Sequence, residues 1–91
     1  SIDTRKLLRD VLRSNASTAI LAHNHPTGPA LPSATDQLTT LKIMQLLAPA
    51  GISILDHIIV AGENACSMAD RGRLPDINAH PGILNAASTD F

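Results

Sequence analysis

The sequence predicts a small α/β domain built on one βαβ unit, and three features predict it. Residues 4–14 and 34–48 repeat apolar side chains at helical spacing. Residues 16–23 and 52–61 carry apolar runs of strand length. Between the first run and the second helix lies a stretch rich in Pro and Gly, which sets the backbone path of a loop. Strand, loop, helix, strand makes the two strong strands parallel through a right-handed crossover.

In the first helix Leu7, Leu8, Val11 and Leu12 form the apolar stripe, with Asp3 or Thr4 as cap and Ser14-Asn15 as stop. Arg5, Arg9 and Arg13 fall four apart on another face, with Lys6 beside them. That face reads either as a phosphate-binding patch or as a solvated side. Asp10 interrupts it and no aromatic residue is near to stack bases, which favours the solvated side.

The run Ala19-Ile20-Leu21-Ala22 is continuously apolar and suits a strand buried on both faces. The second helix offers Leu38, Leu41, Leu47 and either Met44 or Ala48 to the core, and Pro49 and Gly51 end it. After the second strand, Gly62-Glu63-Asn64 turns into a short strand over residues 65–68. Beyond Gly72 the character changes: residues 75–82 are loop-like and 83–87 suit one helical turn, so 73–91 reads as a tail to a domain of residues 1–72. His80 in this tail reads as a loop surface residue, or as a stray ligand to a neighbouring molecule.

The chemistry concentrates between His23 and Asp36. His23 and His25 are two apart, so both rings leave one side of an extended segment. Ser33 then reads as the N-cap of the second helix and Asp36 as its N3 acid, whose carboxylate points back toward the strand end that carries the histidines. That end is the carboxyl edge of the sheet, where open α/β sheets bind ligands. Two imidazoles and one carboxylate leave a tetrahedral zinc one open position, as in catalytic sites.

This stretch, His-Asn-His-Pro-Thr-Gly followed by Pro-Ser-x-x-Asp, resembles the metal motif of JAB/MPN-type zinc peptidase domains (the JAMM pattern), and most closely the bacterial RadC family. Leu55-Asp56-His57-Ile58-Ile59-Val60 and Ala69-Asp70-Arg71-Gly72 also look like RadC sequence, so the likeness covers residues 1–72. It implies a JAB/MPN-like (cytidine-deaminase-like) fold and a zinc hydrolase acting on peptide or isopeptide bonds. His23, His25 and Asp36 would hold the zinc, and the Ser33 hydroxyl would stabilise the developing oxyanion. The family's general base is a glutamate on a strand well before the His-x-His. Residues 1–22 contain no glutamate, and Glu63 is the only one in the chain. The chain therefore reads as the carboxyl-terminal part of such a domain, weak or inactive alone. Its uncovered sheet edge would favour a homo-oligomer. RadC proteins also carry a DNA-repair label, which leaves a nucleic-acid or protein interaction module with a vestigial metal site as the alternative.

Asp56 shares strand parity with Ile52, Ile54, Ile58 and Val60, so its carboxylate is expected to face inward and to need partners. It would either orient a metal histidine from behind or satisfy backbone donors and cap a loop. The second role is the commoner for an aspartate within a strand. His57, on the opposite face, reads as a structural histidine.

Composition narrows the rest. Ninety-one residues make one small domain, and its core is aliphatic, with no Trp or Tyr and one Phe at the last position. The single Cys66 excludes an internal disulfide and fits a reducing compartment. No apolar run is long enough for a membrane span and no leader is seen, so the expected location is cytoplasmic. A formal net charge of −1 gives no general attraction to nucleic acid.

Overall fold

The structure, a computed structural model, describes residues 3–79. Asp3 opens α1 (Thr4–Arg13) as its N-cap, accepting from the Lys6 amide, and Ser14 closes it. Strand β1 (Thr18–Asn24) follows, then α2 (Ala34–Leu47), which tightens into a 3₁₀ turn over Ala48–Ala50. Pro49 fits that tight turn, and Gly51 takes a left-handed φ of 76° that leaves its amide on Ala48 O and the Ile52 amide on Leu47 O. Strands β2 (Ser53–Ala61) and β3 (Asn64–Ser67) complete the sheet, and a last 3₁₀ turn spans Ile77–Ala79.

The sheet order is β1-β2-β3, with β1 and β2 parallel and β2 and β3 antiparallel. The βαβ unit and the mixed α/β class agree with the sequence reading. Leu21, Ile43, Met44, Leu47, Ile52 and Ile54 form the core between the sheet and α2. Leu7, Leu8 and Val11 of α1 pack on it, and so do Leu74 and Ile77 from the segment after the sheet. The expected helical turn at 83–87 and His80 lie outside the described residues.

Several expectations are corrected. Within β1 only Leu21 is buried, while Ile20 is 62% exposed. The strand is therefore covered on one face only, because α2 packs on the Leu21 side and β1 is an outer strand among the described residues. Leu55 of β2 is likewise exposed, at 53%. In α1, Leu12 is exposed, and Arg5, Arg9 and Arg13 line the solvent side as well.

Helix α2 turns differently from its apolar count. Leu41, Leu47 and, of the two alternatives, Met44 are buried as expected, but Leu38 is 43% exposed and Ile43 is buried instead. The buried face begins with Asp36 and Thr40 and continues through Ile43, Met44 and Leu47. Those positions are spaced as one helical stripe, and its first turn is polar. A count of apolar residues misses a face whose leading positions serve hydrogen bonds.

The largest correction lies in β2. Ala19 pairs with Ile54 but Ile20 pairs with Asp56, so Leu55 is an extra residue at a bulge. One extra residue reverses the alternation. After it His57, Ile59 and Ala61 are buried, while Asp56, Ile58 and Val60 are not.

Candidate metal centre

Strand β1 delivers His23 to the core face beside α2, two residues beyond Leu21. His25 follows the strand's end, and its amide still donates to Val60 O at 2.7 Å, extending the pairing with β2. The two rings meet edge to face, with centroids 5.0 Å apart and planes 88° apart. The loop then turns at Gly28, whose φ of 87° demands glycine, and brings the Pro29 carbonyl back to His25. Nδ1 of His25 lies 3.4 Å from that oxygen, which leaves Nε2 facing inward.

Asp36 arrives from the other side. Ser33 is the N-cap of α2, its Oγ accepting from the Asp36 amide at 3.0 Å. The Ser33 amide donates to Asp36 Oδ2 at 2.8 Å, which completes a capping box. The carboxylate is thereby aimed backward over the helix mouth. Its Oδ1 lies 3.2 Å from His23 Nδ1 and its Oδ2 lies 3.0 Å from His25 Nε2.

One nitrogen from each ring and one Asp36 oxygen all lie within 4.8 Å of one another, the one His/Cys/Asp/Glu group of this kind among the described residues. Donors sharing a tetrahedral ion with bonds of about 2.0–2.1 Å stand roughly 3.3 Å apart. Each ring nitrogen lies at about that distance from one of the two Asp36 oxygens, 3.2 Å to Oδ1 and 3.0 Å to Oδ2. A further observation fits an ion: His23 Nδ1 is buried and makes no hydrogen bond of acceptable geometry, although Oδ1 is close. Burial alone would raise the Asp36 pKa. The Ser33 amide and hydroxyl and the His25 ring outweigh it and hold the carboxyl below its ordinary value, ready as an anionic ligand.

Ser33 sits beside the centre, and its hydroxyl oxygen is engaged as a helix cap. Asp56 does not reach the histidines. Its carboxylate accepts from the Ser67 hydroxyl, from the Ala69 amide at 2.9 Å and from the His57 amide at 2.7 Å. It therefore caps the turn after β3, the loop-capping alternative. Burial opposes its charge, but the Ser67, Ala69 and His57 donors depress its pKa. We expect Asp56→Ala to cost about 2 kcal/mol, since it strands several donors, and to leave metal stoichiometry unchanged. Urea unfolding and metal analysis on one sample check both halves.

Glu63 occupies the turn between β2 and β3, exposed, beyond the carboxyl end of β2. Because β1 and β2 are parallel, that is the sheet edge that carries His23 and His25. No described contact links the Glu63 side chain to the three ligands.

Two residues escaped the sequence reading as parts of this region. Thr40, fully buried, donates from Oγ1 to Asp36 O at 2.6 Å and also contacts His57 Nδ1 at 2.6 Å. His57 is fully buried too, with its ring centroid 6.1 Å from that of His23. Burial first, and the neighbouring His23 and His25, depress its pKa, with Asp36 and Asp56 acting against them. The one signal for Thr40 was its position four residues after Asp36, on the same helical face.

A His-x-His pair at a strand end, facing a helix-capping aspartate across a βαβ unit, defines an α/β domain of JAB type with a candidate metal triad. The chain belongs to the RadC-like JAB domain family, whose model matches residues 1–73. It is 47% identical over 72 residues to a UPF0758 protein of Pseudoalteromonas translucida, covering 79% of this chain and 32% of that protein. With a UPF0758 protein of Bordetella avium the identity is 49% over 72 residues, covering 79% and 32%. With one from Janthinobacterium sp. it is 42% over 74 residues, covering 81% and 33%. The chain thus spans about a third of the length of these curated relatives. No helix among the described residues is long and apolar enough to cross a membrane.

Proposed function

We propose that this chain is a zinc-binding part of a RadC-type metallohydrolase that acts on peptide or isopeptide bonds. The observation that carries the proposal is the convergence of His23 Nδ1, His25 Nε2 and the Asp36 carboxylate at one sheet edge. Two neutral nitrogens and one carboxylate suit zinc and leave a position open for chemistry. When bound, zinc supplies Lewis acidity and brings the pKa of a coordinated water near neutrality.

The chain's own groups have separable tasks. The capping box fixes the carboxylate, and the Pro29 carbonyl orients the His25 ring by accepting from Nδ1. The Ser33 hydroxyl, engaged with Asp36 in the capping box, would be the donor to a developing oxyanion beside the centre.

The test is metal analysis of the purified chain. One equivalent of zinc is expected for wild type and none for His25→Ala, with unchanged far-UV circular dichroism. His25 lies outside the strand and the core, so its loss spares the fold. Equal metal in both proteins overturns the assignment.

A further inference from the structure

We propose that Thr40 and His57 are a buried positioning pair that holds the first turn of α2, and with it the Asp36 carboxylate, in register for the metal. This rests on the metal reading above and adds residues that touch neither metal nor substrate.

The hydrogens can be assigned by elimination. The Thr40 hydroxyl has one proton and two oxygen or nitrogen neighbours, Asp36 O and His57 Nδ1, each at 2.6 Å. A carbonyl oxygen cannot donate, so the hydroxyl proton goes to Asp36 O. Thr40 Oγ1 must then accept, and His57 Nδ1 must carry a proton. The alternative sets two lone pairs against each other at one of these short contacts. The relay runs His57 Nδ1–H to Thr40 Oγ1–H to Asp36 C=O. The neutral ring consequently keeps its lone pair on Nε2, which is buried without a hydrogen-bond partner.

That arrangement is costly as packing alone. Two apolar side chains would fill the same space without desolvating a hydroxyl and an imidazole. What they would not supply is direction. The relay anchors α2 to the middle of β2, next to the parallel strand that presents His23. Asp36 is otherwise held by Ser33, which belongs to the loop, and by the histidines themselves. The Thr40–His57 link thus references the helix-borne ligand to the strand-borne ones.

The experiment measures zinc affinity by competition with a chromophoric chelator, and the visible spectrum of the cobalt(II) protein, for wild type, Thr40→Val and Thr40→Ser. Thr40→Val keeps the shape and loses the relay. It is expected to bind zinc roughly 10–100-fold more weakly, as when a ligand's outer partner is removed, and to show an altered cobalt band. Thr40→Ser restores both. A long-range ¹H–¹⁵N spectrum of wild type, which needs no variant, should place the His57 proton on Nδ1. A Thr40→Val protein that is less stable but has wild-type affinity and cobalt spectrum overturns the proposal, and so does a proton on Nε2. Wild type that binds no zinc overturns the metal reading itself, and this one with it.

Discussion

Asp36→Asn is expected to abolish tight zinc binding while the fold survives, and Asp36→Ala to lose both the metal and about 2 kcal/mol of stability. Asp36 serves two structures at once. As N3 of the capping box it accepts from the Ser33 amide at 2.8 Å, and as a carboxylate it faces both histidines. Asparagine can still offer an oxygen to Ser33, so the helix start persists. It has no charge and presents an amide nitrogen to one of the rings, so the donor set is broken. The loss should exceed the roughly 10–100-fold typical of an outer partner. Alanine removes the cap as well, and N-terminal capping and stranded donors together set the expected 2 kcal/mol.

The charge on Asp36 also fixes a pH dependence. Its folded pKa lies below the ordinary 3.8. The stabilisation is therefore present above pH 3.8 and disappears as pH falls through the folded value. Chelator-treated wild type should lose stability over that acid window more steeply than Asp36→Asn. Parallel curves would show that the carboxylate charge does not support the fold.

The convergence of His23, His25 and Asp36 was legible in the sequence because each of its signals is local. The spacing of His23 and His25, the loop glycine and the Ser33–Asp36 cap are short-range chemistry, and each forces the backbone in one direction. The βαβ topology followed from two apolar runs and a helix between them. What escaped depends on tertiary pairing. The bulge at Leu55 has no composition of its own, yet it turns His57 into the core and Asp56 toward the β3 turn. The helix face was misjudged at Leu38 because Asp36 and Thr40, two polar residues, take the buried positions of the first turn. The single-sided burial of β1 was hidden for a related reason. Its apolar run reads the same whether or not a further layer covers Ile20.

Peptide hydrolysis by this chain alone, loaded with zinc, is expected to be weak. On the proposed reading the triad would hold a Lewis acid and Ser33 would donate to an oxyanion, but hydrolysis also needs a group that takes a proton from water and passes it to the leaving nitrogen. General acid–base assistance of this kind contributes roughly a hundred- to ten-thousandfold. The resemblance assigns that task to a glutamate on a strand preceding the His-x-His, and residues 1–22 hold none. Asp56 is committed to Ser67, Ala69 and His57. Asp36 is committed to the capping box and the two rings. Glu63 lies on the same sheet edge as the histidines but is exposed in its turn. The measurement compares the 91-residue chain, its Glu63→Gln variant, and the same chain extended at its amino end by the corresponding strands of a UPF0758 relative. Faster cleavage by the extended chain, by a hundredfold or more, with Glu63→Gln indistinguishable from the unextended wild type, is the expected result. Equal rates for the short and extended chains would place the base within residues 1–91, and a rate abolished by Glu63→Gln would identify it.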